Sequence, residues 1–325
     1  MFERQVAYYL NKYLGRYVYN VDASALKISI FRGNVELHNL QLKPEALNEL
    51  NLPITVKSGL LGSLKLKVPW ANLGGEPVIC ELDSIYVLAV PNTGGGGTHT
   101  GKDTEEAAEQ ADKRQKVDEA EHDFIKAWKQ SLDIQAEKQT QSKSKGDAEG
   151  GQQGRLQYYI ETILGNLQIC VSNVHVRYED AESVAGEVFA CGLTLEEISA
   201  YTVDSNNKRT FVSRQALDHL RKTATLRRLA FYFDVGSTRW TPPTKDWKSM
   251  ARSHWDGMFL PSVREEGSAN SHKHQYILAP VHGQLVYDRI SGKQRKKLPE
   301  SHPTEQADLS LASVDVGVQE GQYKC

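Results

Sequence analysis

The sequence predicts a mainly β protein with a few helices at its edges, an α+β composition built around a long, curved antiparallel sheet. Three observations carry this. Period-two alternation of apolar and polar residues recurs through most of the chain, the mark of strands with one apolar and one wet face. The alternating segments are long: Pro77 to Val90 and Leu167 to Glu179 both exceed the usual length of about five or six residues. Helical periodicity is rare and does not fall between successive strands, so the rhythm of a doubly wound parallel sheet is missing.

The first element is a helix over Phe2–Leu14, with Phe2, Val6, Leu10, Tyr13 and Leu14 on one face and Glu3, Arg4 and Lys12 elsewhere. Its tyrosines suit a bilayer interface, but its basic residues are few, which favours capping the end of an apolar sheet over membrane insertion. Leu26, Ile28 and Ile30 alternate with Lys27 and Ser29, and Leu64, Leu66 and Val68 with Ser63, Lys65 and Lys67. After Pro77 to Val90 the character changes. Asn92 to Gly97 is a glycine-rich break and Gln139 to Gly154 is almost wholly polar, too poor in apolar groups to offset the entropy of ordering. Between them, Thr104–Lys138 reads as a charged helix, with Asp103 and Glu106 as a capping box and a narrow stripe of Val117, Ala120, Phe124, Trp128 and Leu132. A short amphipathic helix follows, with Leu156, Tyr159, Ile160, Ile163 and Leu164 on one face and Gly165 as its stop.

Strands resume as Leu167, Ile169, Val171, then Phe189, Cys191, Leu193, Leu195, then Leu229, Phe231, Phe233, Val235, and last Ala307, Leu309, Leu311. A third helix is predicted over 244–259, with Trp247, Met250, His254 and Met258. In several strands the parity slips: Val35 and Leu37 hand over to Leu40 and Leu42, Val171 to Val174 and Val176, Leu311 to Val314 and Val316. One extra residue would swap the faces, so these positions read as bulges that bend long strands. The expected organisation is 1–92, a charged insertion over 93–153, and a β continuation over 154–325 that ends on a strand without a stop signal.

Composition narrows the function. With 39 Lys and Arg, 41 Asp and Glu and a net charge of -2, the chain lacks the basic stripe of a nucleic-acid binder. Apolar runs such as Ile85–Val90 fall far short of the roughly 18 residues of a membrane span, and the amino terminus has no apolar signal core. Four cysteines without paired short spacing suggest neither a disulfide framework nor a zinc site, and so a reducing compartment. Gly96-Gly97-Thr98-His99-Thr100-Gly101-Lys102 approaches a phosphate-binding loop, but Asp103 stands where Ser or Thr would hold magnesium, and no parallel sheet is expected around it. His272 and His274 lack neighbouring donors for a metal set. Catalytic serine and zinc-binding motifs are absent, so the expectation is a non-enzyme without metal or cofactor. Arg289, Lys293, Arg295, Lys296 and Lys297 form the strongest basic cluster and are candidate contacts for anionic headgroups.

The residues carry a family resemblance. Phe2-Glu3 to Leu14-Gly15, Leu26 to Ile30, Gly33-Asn34-Val35-Glu36-Leu37, Asn39-Leu40, Pro44-Glu45-Ala46-Leu47, Pro53-Ile54 to Gly59, Gly62 to Trp70 and Pro77-Val78 resemble the amino-terminal chorein signature. Gly165 to Ile169, Asn173-Val174-His175-Val176-Arg177-Tyr178-Glu179-Asp180 and Gly192 to Glu196 continue the series. The match covers about 1–92 and 155–235 and is similar to the amino-terminal end of the vacuolar protein sorting-associated protein thirteen family of bridge-like lipid-transfer proteins. The resemblance implies an open hydrophobic groove of repeating β units, capped by the first helix. It also implies non-catalytic transfer of glycerophospholipids between organelle membranes at contact sites. The chain would touch membranes peripherally on their cytoplasmic face, with the endoplasmic reticulum at this end and endosome, vacuole or mitochondria beyond, and with scramblases or adaptors as protein partners. The alternative is a tether or scaffold in vacuolar and endosomal sorting that conducts no lipid. On the groove reading, Leu26, Ile28, Ile30, Leu64, Leu66, Val68, Leu82, Ile169, Val171, Leu193, Leu195, Phe231, Phe233, Leu309 and Leu311 line the groove.

Overall fold

A computed structural model describes residues 14–19, 33–48, 54–72, 75–92, 163, 165–184, 186–212, 219–240, 247, 250–264, 274–290, 299 and 303–324. The chain divides into a body of 1–92 and 162–325 and a second unit of 93–161. The predicted strand at Leu26, Ile28 and Ile30, most of the first helix and the charged insertion all lie outside the described residues.

Long alternating segments pair with their sequence neighbours. The strands are β1 (Asn34–Gln41), β2 (Ile54–Lys67), β3 (Ile79–Pro91), β4 (Gln168–Asp180), β5 (Phe189–Thr202), β6 (His219–Val235), β7 (Tyr276–Ile290) and β8 (Glu305–Leu311). They form one sheet in the order β1-β2-β3-β4-β5-β6-β7-β8. One pairing departs from the antiparallel expectation: β3 and β4 run parallel, with Ile79 beside Gln168 and Ala89 beside Tyr178. The cause is the connection between them, since parallel neighbours need a crossover of at least about a dozen residues. The long 92–167 segment supplies it.

The α-helices whose bounds lie within the described residues are α1 (Pro44–Asn48), α2 (Arg252–Arg264) and α3 (Glu320–Lys324). The helix expected over 244–259 therefore begins later and runs past Pro261. A proline near the end of a helix removes only one hydrogen bond there. Gly165 is itself helical rather than a stop. The next residue, Asn166, is buried and exchanges two hydrogen bonds with the Val212 backbone at 3.0 and 2.7 Å.

The parity slips at Val35–Leu42 and Val171–Val176 have a cause other than the expected inserted residue. Asn39, Ser84, Asn173 and Arg228 are left-handed, with φ of 54, 61, 53 and 52°, and they lie on one line across the sheet. His38↔Ser63 and Leu40↔Leu61 put Asn39 opposite Gly62, whose other neighbour is Ser84. Ser84 stands beside Asn173, Asn173 opposite Glu196, and Glu196 opposite Arg228. From β1 to β6 the pairing register is the same on both sides of this line, so the strands change face together. A bulge does occur between Leu226 and Leu229 in the β6–β7 pairing, and another between Val56 and Ser58 in the β2–β3 pairing. Gly62 is needed on the line. A Cβ there would lie 2.6 Å from Ser84 Cβ and 3.0 Å from the Arg252 guanidinium carbon.

Candidate functional site: an apolar sheet face

Because paired residues share a face, the register can be followed from strand to strand. One row runs Val35, Leu66, Cys80, Ile169, Ala200, Ala224, Leu285, Leu309. The next runs Leu37, Leu64, Leu82, Val171, Ile198, Leu226, Gly283, Leu311. Beyond the left-handed line the same face continues as Leu61, Ile85, Val174 and Leu195, then Gly59, Val87, Val176, Leu193, Phe231 and Leu278. That both halves belong to one face is shown by a single cluster containing Val35, Leu64, Leu66 and Leu82 together with Leu40, Leu42, Leu61 and Ile85. These rows contain no Asp, Glu, Lys, Arg or His.

Along the sheet this face passes from covered to open. At β1–β3 it is roofed by Leu14 and Val18, which pack on Val35, Leu40, Leu61 and Leu64. Further along, Ile169, Leu193 and Ile198 are 39, 40 and 38% exposed, and at β8 Leu309 and Leu311 are 64 and 48% exposed. These exposed apolar side chains share one face of the sheet rather than being scattered singly over the surface.

The opposite face is closed by α2. Tyr86, Leu88 and Leu60 pack against Trp255 and Phe259, with Trp240, Trp247, Met250 and Met258 around them. The left-handed residues fasten this helix. Arg252 donates to the Gly62 carbonyl, Asp83 and Ser84 at 3.2, 3.0 and 3.2 Å; Arg264 donates to Asn173 at 3.1 Å, and Arg228 to the Val263 carbonyl at 3.4 Å. Burial pushes the Asp83 carboxyl up, but hydrogen bonds from Ser172, Asn173 and Ser84 and the Arg252 charge outweigh it and hold it below the usual range.

Beneath the helix, Arg177 and Glu179 pair at 3.0 Å with 2% exposure each, and Glu179 also accepts the Trp240 amide at 2.6 Å. Burial holds the wholly buried His175 neutral, its pKa lowered to about 3. Its Nδ1 lies 3.0 Å from the Phe259 carbonyl and its Nε2 2.8 Å from the Tyr232 hydroxyl. A carbonyl only accepts, so Nδ1 carries the proton and Nε2 accepts from tyrosine. Gly192 makes room for this, since a Cβ there would strike the Tyr232 ring. Sequence reasoning found no nucleophile–base pair, yet His274 lies 2.7 Å from both Asp234 and Ser262. The spacing is that of a hydrolase triad. However, the His274 side chain is only 5% exposed and its ring stacks on Tyr232 at 3.8 Å, so the trio ties the last turn of α2 to β6.

Of the sequence-predicted lining residues, Leu64, Leu66, Leu82, Ile169, Val171, Leu193, Leu195, Phe231, Leu309 and Leu311 fall on the rows above, and Phe233 follows Phe231 by two residues in β6. Val68 lies just past the end of β2, buried with Val78 against Ile163 and Leu167, at a closed margin. Of the expected capping residues, Leu14 packs on Val35, Leu40, Leu61 and Leu64, while Phe2, Val6, Leu10 and Tyr13 lie outside the described residues. So do Lys293, Arg295, Lys296, Lys297, His272 and the glycine-rich Gly96–Lys102 segment. Arg289 belongs to strand β7 rather than to a basic loop. The sequence reading missed the Ile198–Leu226–Leu285 part of the face, because four arginines and lysines interrupt the pattern in β6.

The class defined by this geometry is a sheet-built module with one open apolar face and one helix-braced face. Its relatives specify it further. The family model described as the VPS13-like family N-terminal region matches residues 1–325, and the chain belongs to that family. It is 34% identical over 332 residues to the intermembrane lipid transfer protein VPS13 of Chaetomium thermophilum, covering 100% of this chain and 9% of the relative. To vps13A of Dictyostelium discoideum it is 32% identical over 326 residues, again 100% of this chain and 9% of the relative. To human VPS13D the identity is 27% over 333 residues, 100% of this chain and 6% of the relative. The chain thus spans less than a tenth of the length of these relatives.

Proposed function

We propose that this chain is the amino-terminal lipid-binding end of an intermembrane lipid transfer protein, carrying glycerophospholipids with their acyl chains on the apolar face. The observation that carries this reading is the pair of apolar rows that cross all eight strands and stay open to solvent from β4 to β8. An acyl chain in water costs about 0.8 kcal/mol per methylene. A continuous apolar track removes that cost along the path and lowers the barrier to leaving a bilayer without imposing direction. The chemistry needs no catalytic group, metal or cofactor. No helix among the described residues is long and apolar enough to cross a membrane, and peripheral contact with organelle membranes belongs to this reading as the family resemblance implies it. The endoplasmic reticulum, scramblases and adaptors belong to this proposal as the family resemblance implied them.

The test is bound phospholipid per protein after incubation with phosphatidylcholine vesicles. Wild type should retain phospholipid through gel filtration, and a Leu193→Glu/Ile198→Glu double variant should not. A Lys65→Glu/Lys67→Glu control on the wet face should behave as wild type. A folded wild-type protein free of lipid would instead favour the tether or scaffold.

A further inference from the structure

The left-handed line leaves its own mark on the apolar face. At the strands it crosses, two consecutive side chains turn to the α2 side. Asp83 and Ser84 both meet the Arg252 guanidinium, and Ser172 and Asn173 both donate to Asp83 at 2.7 and 2.6 Å. Glu196 and Glu197 both pair with Arg227. Rows of the apolar face are two residues apart elsewhere, but Val171 and Val174, like Ile198 and Leu195, stand three apart across the line. Three strand residues reach up to about 10 Å, against about 6.6 Å for two. The line is thus a furrow with a backbone floor, banked by Val171, Ile198 and Leu226 on one side and by Val174, Leu195 and Leu229 on the other. Among the described residues, no side chain rises from the apolar face between these banks.

The protein fills one end of this furrow itself. At β1 and β2, Leu14 and Val18 cluster with Leu64 on one bank and with Leu40 and Leu61 on the other, and Leu82 and Ile85 of β3 pack against that cluster. From β4 onward no such cover lies over it among the described residues: Ile198 is 38% exposed, and Val171, Val174, Leu226 and Leu229 are half-buried.

Resting on the lipid-carrying reading above, we infer that the furrow over β3–β6 seats a single acyl chain of a phospholipid, its methyl end toward Leu14 and Val18 and its carboxyl end at β6. The occupant is a polymethylene chain because both banks are aliphatic and offer a polar group no hydrogen-bonding side chain. Leu14 and Val18 already hold the same place at β1 and β2 with aliphatic groups. Direction follows from the headgroup, which must stay wet, since the face opens from β4 toward β8. From β3 to β6 is three inter-strand steps, roughly 14 Å, enough for most of one acyl chain.

The test incubates the whole chain with phosphatidylcholine vesicles that contain one of two photoreactive phosphatidylcholines. One carries a diazirine at the methyl end of an acyl chain, the other near its carboxyl end. After gel filtration and irradiation, peptide mass spectrometry locates the adducts. The methyl-end probe should label Leu82, Ile85, Val171 or Val174, and the carboxyl-end probe Ile198, Leu226 or Leu229. Ile198→Asn places an amide at an exposed bank position and should lower retained phospholipid about tenfold, the cost of covering an unpaired amide. Leu309→Asn, on the same face but away from the furrow, should lower it far less. Adducts confined to β7 and β8, the two probes in reverse or no order, or equal losses in the two variants would overturn the furrow and leave the lipid reading standing. No phospholipid retained by wild type would overturn both. The labelling uses wild-type protein, so a variant that fails to fold does not remove the test.

Discussion

At His175 burial turns a titratable ring into a fixed donor–acceptor between α2 and β6. An unfolded chain protonates this imidazole near 6.5, whereas the folded chain resists until about 3. The stabilisation is therefore complete above about 6.5 and is lost as pH falls. Between about pH 7.5 and about pH 5 this residue alone should remove ~2 kcal/mol of stability, read as a lower urea midpoint. His175→Phe should be less stable at neutral pH yet show a smaller pH slope; an equal slope would assign the acid sensitivity elsewhere. At Ser262 the contact with His274, itself paired with Asp234, invites a covalent test. A strut role predicts no labelling by a fluorophosphonate, and labelling that vanishes in Ser262→Ala would instead reveal a hydrolase.

Helix α2 and the left-handed line depend on each other. Asn173 accepts from Arg264 while donating to Asp83 at 2.6 Å, and Asp83 accepts from Arg252. Asn tolerates left-handed φ whereas a β-branched residue does not. Asn173→Val should therefore cost about 1–3 kcal/mol from backbone strain, with lost side-chain bonds in addition. Asn173→Gly should lose only the bonds, and equal melting temperatures for the two variants would argue against strain. The strands themselves were legible because their alternation survives over a dozen residues. The slips at Val35–Leu42 and Val171–Val176 were legible too, but not their cause. An inserted residue and a left-handed one produce the same change of parity in a single strand, and only the shared register across six strands separates them. Ser84 and Arg228 gave no signal, since neither residue type favours positive φ. The parallel β3–β4 pair was hidden because nothing local to either strand encodes its direction.

For the molecule as a whole, we expect the 93–153 segment to be dispensable for folding of the sheet, since loop-closure entropy grows only logarithmically with length. The return from the end of β3 to the start of β4 must still span a strand, roughly 40 Å for about a dozen residues. A short Gly/Ser replacement that keeps 154–167 should leave the unfolding transition in place, whereas aggregation would show that the Val117–Leu132 stripe covers the sheet. The line of Asn39, Ser84, Asn173 and Arg228 also has a consequence for tolerance to substitution. In β3, Cys80 and Leu82 look to the open face, but past Ser84 that face belongs to Ile85 and Val87. A saturation scan of this protein should thus show sensitivity in anti-phase on either side of one transverse boundary. An average over whole strands would make both phases cancel, and the molecule would look tolerant along the line where its two sides change hands.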